Sequence, residues 1–267
     1  MTTSRQKPPV CLTIAGLDPS GGAGIVADIK TFLRFGCFPT AAITSVTYQN
    51  TTGVFGAAHQ TAESVHRQVE AVLDDFEVAA VKTGMLPTRA IIEVVASIIS
   101  ERKLSNVVVD PVVRSTSGYD LIDDDALRAL TKHLFPLADV ITPNLPEAER
   151  IAGMTIRSEA DIDRAAELMQ RLGARNVLIK GGHFEPDGKD RKAKDFLFLD
   201  GGRLVFEADF IDTKATHGTG CTLAAAIAAN LARGHTLVDS VQAAKDFVTE
   251  AIRTAPHLGH GNSPINI

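Results

Sequence analysis

The chain has 267 residues, 45% of them hydrophobic and 22% charged, with 27 basic side chains against 32 acidic ones for a net charge of -5. A chain of this length and ordinary composition buries its own core without disulfides or a structural metal. Its mildly acidic balance argues against nucleic acid or a membrane surface as partner, since both demand a basic face.

The N-terminal MTTSRQKPPV lacks the apolar core and small-residue cleavage site of a signal peptide, and no run of 18 residues is apolar throughout. The expectation is a soluble, cytoplasmic protein. From Val10 onward, short apolar runs alternate with helix-period segments, the pattern of strands buried on both faces by crossover helices. Strands are expected over 10–16, 39–48, 78–82, 106–110, 138–142 and 176–180. Helices are expected over 23–35, 61–74, 88–102, 123–133, 146–152 and 159–172, with Pro87 marking entry to the third.

After Lys180 the pattern changes. The polar stretch 183–194 carries Lys189, Arg191, Lys192 and Lys194 among acids and reads as a surface loop. Two apolar runs joined by Asp200-Gly201-Gly202 read as a hairpin, which places an antiparallel edge after the parallel part. Two helices close the chain, one starting at the glycines near 218–220 and one over 237–254. No composition break separates halves, so the expectation is one α/β domain over 1–267, helices on both faces of a mostly parallel sheet, with 1–9 a flexible extension.

Two glycine clusters carry the first chemical signal. Gly16-Leu17-Asp18-Pro19-Ser20-Gly21-Gly22-Ala23-Gly24 links the first strand to the first helix, and Gly22, Gly24 and Ala27 satisfy a G-x-G-x-x-A spacing. A dinucleotide site also needs an acid about 20 positions on for the ribose, and no Asp or Glu occurs from Ile29 through Ala62, which rejects that reading. Thr216-His217-Gly218-Thr219-Gly220-Cys221 opens the small-residue helix that follows, and free N–H groups at such a helix start bind anions. No P-loop motif occurs. Cys221 stands where a helix dipole would lower a thiol pKa and favour thiolate; its bland alternative is a small buried hydrophobe. Cys11, Cys37 and Cys221 show neither CxxC nor Cys/His ligand spacing.

Polar residues recur at strand C-terminal ends, where open α/β sheets hold their ligands: Gln49, Lys82 and Met85, Asp110, Asn144 and Glu147, and Lys180. Asp110 and Glu147 are costly to bury without a cation. They are candidate magnesium ligands, directly or through water, although Glu147 is also a normal first-turn acid.

The segments LTIAGLDPSGGAGIVADIKTF, TYQNTTGV, VKTGML, VVVDPV, TPNLPEAE, VLIKGGH and THGTGCTLAAAIAANLA resemble, in order and over about 10–255, the bacterial hydroxymethylpyrimidine and phosphomethylpyrimidine kinases of thiamine biosynthesis. Those enzymes belong to the ribokinase-like superfamily. The resemblance implies a three-layer αβα fold and an ATP- and Mg²⁺-dependent kinase that phosphorylates 4-amino-5-hydroxymethyl-2-methylpyrimidine and then its monophosphate. It implies that the pyrimidine meets Gly16, Ala23, Asp28, Thr47, Gln49 and Met85. Asp110, Asn144 and Glu147 would surround magnesium and triphosphate, with Lys180 and Thr216 near the nucleotide. Gly218, Thr219, Gly220 and Cys221 would form the anion hole, Cys221 taking the alcohol proton. The family's expectation is a homodimer. Two departures stand out: Arg114-Ser115-Thr116-Ser117-Gly118 replaces an alanine-lysine-serine-glycine run, and the tail GHGNSPINI lacks the usual histidine-phenylalanine ending. The rivals are a pyridoxal kinase of the same fold, which usually carries an acid at the Cys221 position, and an inactive ligand sensor.

Overall fold

A computed structural model describes residues 7–113, 121–181 and 192–267. Its strands are β1 (Val10–Leu17), β2 (Phe38–Asn50), β3 (Gly53–His59), β4 (Val78–Thr83), β5 (Val107–Val109), β6 (Val140–Ile141), β7 (Val177–Lys180), β8 (Lys192–Leu199) and β9 (Gly202–Asp209). They form one sheet in the order β3-β2-β1-β4-β5-β6-β7-β8-β9. The six from β2 through β7 in that order pair in parallel, while β3, β8 and β9 pair antiparallel.

The period-2 alternation of strand side chains feeds two cores. Leu12 and Ile14 of β1, Val107 and Val109 of β5 and Val177 and Ile179 of β7 join one cluster. Cys11, Val108 and Leu178 join the other, on the opposite face. The first face is covered by α2 (Ala62–Leu73), α3 (Arg89–Glu101), α4 (Asp124–Ala129), α5 (Leu145–Ala152) and α6 (Glu159–Arg171). The second is covered by α1 (Gly24–Arg34), α7 (Thr219–Ala232) and α8 (Leu237–Arg253). Residues 222–230 of α7 are buried without interruption, as expected of a helix apolar on every side; its alanines let it lie close to β1, β4 and β5. Among the described residues no helix is long and apolar enough to cross a membrane.

Three expectations need correction. A second antiparallel edge exists, because β3 folds back on β2 through a turn in which Asn50 Oδ1 accepts the Thr52 N–H at 2.8 Å. The expected helix over 123–133 is α4 followed by a wider π turn over Leu130–Leu134 and a 3₁₀ turn over Phe135–Leu137. Pro87 stands at the entry to α3 as expected, just before the N-cap Thr88, whose hydroxyl accepts the Ile91 N–H at 3.3 Å. Lys192 and Lys194 are not loop residues: they open β8, where Lys192 pairs with Asp209 across the hairpin and Lys194 with Glu159. The rest of the expected surface loop, and the Arg114–Gly118 segment, lie outside the described residues.

Candidate active site

Strand order reverses between β1 and β4, and the segments leaving the carboxyl ends of the parallel strands enclose a cavity of about 740 Å³. Both glycine clusters border it. Gly218, the N-cap of α7, has φ +88°, and a β-carbon on it would lie 1.8 Å from the Gly22 carbonyl oxygen. Gly24, at the start of α1, has φ +56°, and a β-carbon there would lie 2.2 Å from the Gly16 oxygen. Glycine is required at both positions because backbone meets backbone. Thr219 N–H turns back to the Thr216 carbonyl at 3.3 Å, and Thr222 N–H is bonded to Gly218 at 2.9 Å. The intervening N–H groups of Gly220 and Cys221 belong to the first helical turn, which has no intrahelical acceptors.

Facing this turn is a cluster of charges. Asp110, 3% exposed after β5, accepts from the Lys180 ammonium at 3.0 Å and from the Thr142 hydroxyl at 3.1 Å, both on Oδ1. Its Oδ2 points toward the helix start, 3.9 Å from where a Gly220 β-carbon would be, and Lys180 Nζ lies 3.2 Å from that point. Glu147 is fixed by a capping box: its Oε2 accepts the Asn144 N–H at 2.8 Å while Asn144 Oδ1 accepts the Glu147 N–H at 2.9 Å. Its Oε1 accepts the Val113 N–H at 3.3 Å. Burial pushes the Glu147 carboxyl up to about 7, with Lys180 opposing and Asp110 adding to the rise. Burial alone would depress the Lys180 ammonium, but Asp110 and Glu147 hold it above its ordinary value.

The cavity is also lined by Gly16, Ala23, Thr47, Gln49 and Met85. Met85 packs so close that a Gly16 β-carbon would sit 3.1 Å from its sulfur. The Thr47 hydroxyl is committed to the Leu17 carbonyl at 2.9 Å. Asp28 is the one expected site residue that does not line the cavity. It is wholly buried behind it, its Oδ2 accepting from Lys82 Nζ at 2.8 Å and from the Thr13 hydroxyl at 2.6 Å. Burial alone would lower the Lys82 pKa, yet Asp28, Cys221 and Asp110 raise it, so the ammonium stays charged. Asp28→Ala would leave that buried ammonium unpaired and is expected to cost about 3–5 kcal/mol of stability, read as a drop in the urea midpoint.

Cys221 borders the cavity, partly exposed, at the start of α7. The expected lowering of its thiol by the helix dipole is not the net result. Burial pushes it up to about 11, with Asp110 and Asp28 adding to the rise and Lys82 and the Gly24 N–H opposing it. Desolvation outweighs the helix start here.

Sequence reasoning missed several residues. Asp18 is 3% exposed and its Oδ2 meets His217 Nε2 at 2.8 Å, joining the two glycine clusters. Asp195 and Lys245, ion-paired at 2.8 Å, border the cavity near β7, with Gly181 N–H donating to the same carboxylate. Lys82 was not among them, because a charge closing an apolar run had already marked it as a rim residue. The missed pairs span 199 and 50 positions and had no such mark.

The family model described as Phosphomethylpyrimidine kinase matches residues 18–266. The chain is 44% identical over 256 residues to the hydroxymethylpyrimidine/phosphomethylpyrimidine kinase of Haemophilus influenzae, covering 96% of this chain and 95% of that one. Its fold is similar to that of Bacillus subtilis pyridoxal kinase in an ADP complex, with TM-score 0.88, 38% identity and 97% of each chain covered. It is also similar to phosphomethylpyrimidine kinase from Clostridium difficile, with TM-score 0.79, 40% identity, and 91% of this chain and 99% of that one covered.

Proposed function

The chain belongs to the phosphomethylpyrimidine kinase family, and we propose that it is the ATP-dependent kinase that phosphorylates 4-amino-5-hydroxymethyl-2-methylpyrimidine and then its monophosphate, in thiamine biosynthesis. One observation carries the reading: a single cavity holds a small polar-edged pocket at Gln49 and Met85 beside a glycine-capped helix start faced by Asp110 and Lys180. Phosphoryl transfer asks for little more than positioning and charge neutralisation. In this reading the ring lies between Gly16 and Met85, with Gln49 bonding its edge, since an amide both donates and accepts. The Gly218–Cys221 turn receives the transferring phosphoryl group, and Lys180, fixed by Asp110, neutralises phosphate charge. Asn144, Thr216, Asp195 and Lys245 line the remainder, where the nucleotide lies.

The residues also fit Mg²⁺. Among the described residues no three His, Cys, Asp or Glu side chains gather into a cage. Asp110, with Oδ2 turned to the phosphate turn, and Glu147 are the one or two carboxylates that Mg²⁺ takes beside water and phosphate oxygens. Bound there, the ion would neutralise charge shared between triphosphate oxygens. We further propose that the protein works in the cytoplasm, where its three free cysteines stay reduced. We propose too that it is a homodimer, Tyr48 and Phe55 being more than half exposed on the β2–β3 edge.

Release of ADP across a panel of pyrimidine and pyridoxine alcohols tests the reading. The similarity to B. subtilis pyridoxal kinase makes pyridoxal the second substrate to measure; a higher kcat/KM on pyridoxal than on the pyrimidine alcohol would reverse the assignment. Gln49→Leu leaves ring nitrogens unpaired, a cost of about 1–3 kcal/mol. It is expected to raise KM for the pyrimidine alcohol with the fold intact, and unchanged KM would refute the role of Gln49.

A further inference from the structure

His217 stands at the meeting of three segments, and none of its bonds is to another residue of its own loop. Its side chain reaches Asp18 Oδ2 at 2.8 Å. The same Asp18 oxygen accepts the Ala23 N–H at 2.9 Å, and Oδ1 accepts the Ser20 N–H at 2.8 Å and the Ser20 hydroxyl at 2.7 Å. Asp18 thus shapes the whole turn between β1 and α1. Burial opposes its ionisation, but the bonds from His217 and Ser20 hold the carboxyl below its ordinary value. The imidazole also fills the space over Gly22, where a β-carbon would lie 2.4 Å from its Cδ2.

The backbone of His217 is held by the C-terminal tail. Its N–H donates to the Ser263 carbonyl at 3.2 Å, and its carbonyl accepts from Ile265 at 3.4 Å. The other end of the tail is pinned to the β2–β3 turn: Asn262 N–H donates to the Thr51 carbonyl at 2.8 Å, and His260 and Gly261 N–H donate to the Thr51 hydroxyl. No tail residue borders the cavity.

Resting on the kinase reading above, we propose that His217 is a positioning residue for phosphoryl transfer: bonded to Asp18 and strapped by the tail, it sets the Gly218–Cys221 turn against the Gly16–Gly24 turn. The turn after His217 holds donors for the transferring group, and displacement of a donor is felt in the transition state more than in the ground state. Of the pyrimidine contacts, Gln49 and Met85 stand on β2 and after β4, away from this link, and the turn that carries Gly16 and Ala23 keeps its own bonds from Ser20 and Ala23 to Asp18 when His217 is replaced. Loosening it therefore lowers kcat and leaves pyrimidine KM nearly unchanged.

The test uses the full chain with kcat expressed per folded molecule, the folded fraction being read from thermal melting. His217→Ala and His217→Asn, whose side chain is too short to reach Asp18, are expected to lose at least tenfold in kcat with KM for the pyrimidine alcohol within threefold. His217→Gln places an amide N–H near the Nε2 position and is expected to stay within threefold of native. Asp18→Asn combined with His217→Ala should be no worse than the worse single variant, because the two act through one link. A kcat within threefold in the Ala and Asn variants, a loss equal in Gln and Asn, a loss carried by KM, or multiplicative losses in the double variant each overturn the proposal. Should His217→Ala not fold, the Gln and Asn pair decides alone. If the native chain turns over no pyrimidine alcohol, the kinase reading falls and takes this proposal with it, whereas native turnover with unaffected variants removes only the role of His217.

Discussion

Gly218→Val is expected to lower kcat at least about 10³-fold on both the alcohol and the monophosphate, with the fold retained. Two costs combine at this position. The first is conformational: φ of +88° is left-handed backbone, which costs an L residue roughly 1–2 kcal/mol and is an outlier for a β-branched one. The second is steric, since a β-carbon 1.8 Å from the Gly22 carbonyl oxygen forces one of the two backbones to move by more than 1 Å. The Gly16–Gly24 turn is held by three bonds of its own to Asp18, so the yielding segment is the Gly218–Cys221 turn. Each oxyanion-type donor lost from its place removes about 10²–10³ in kcat, and this turn presents at least two.

Gly234→Ala separates the two costs. It sits just past α7 at φ +84° with nothing within 4 Å of a new β-carbon. That variant pays only the left-handed strain, a loss of about 1 kcal/mol in stability, and its kcat should match native. Equal kcat in Gly218→Val and native would show that the turn takes no part in transfer.

How far the sequence revealed this arrangement depends on how local each cause is. Val10–Leu17, Val78–Thr83 and Val177–Lys180 are apolar runs bounded by turns, and each is a strand within a residue or two of expectation. β3 escaped because Gly53, Gly56, Ala57 and Ala58 are poor strand formers. It forms because β2 runs on to Asn50 and the Asn50–Thr52 turn returns the chain along it. The strand after Asn106 was expected to reach Asp110, but Asp110 leaves the ladder to meet Lys180, a partner 70 positions away. The same distance in sequence hid the Asp18–His217 and Asp195–Lys245 pairs: one residue on each side has no period and no spacing to read. Glycines fared better. Gly218 and Gly24 stood out in clusters at helix starts, where close backbone approach is the ordinary reason for glycine, although which backbone approaches them was legible only in three dimensions. The pKa of Cys221 was misjudged for a related reason, since the helix start is a local feature whereas the burial that outweighs it comes from the packed neighbours.

The second large effect is expected if Cys221 takes the alcohol proton, because its raised thiol would then make the two phosphorylations respond differently to pH. With a pKa of about 11, only about 10⁻⁴ of the protein carries a thiolate at pH 7. If that thiolate takes the proton of the alcohol, the rate on the alcohol follows its population and rises roughly tenfold per pH unit between 7 and 9. The monophosphate needs no such help, because its acceptor oxygen, with a second pKa near 6, is already ionised above pH 7. Glu147, pushed up to about 7, loses its proton over part of this range and bends both profiles alike, so it cancels in the ratio of the two rates. The ratio of alcohol to monophosphate turnover is therefore expected to climb with pH in the native protein. In Cys221→Ala it should be flat and lower by about 10²–10⁴, the usual contribution of a general base, while the monophosphate rate changes less than threefold. Equal losses on the two substrates, or a native ratio that does not move with pH, would leave Cys221 as a residue that only shapes the pocket beside Lys82.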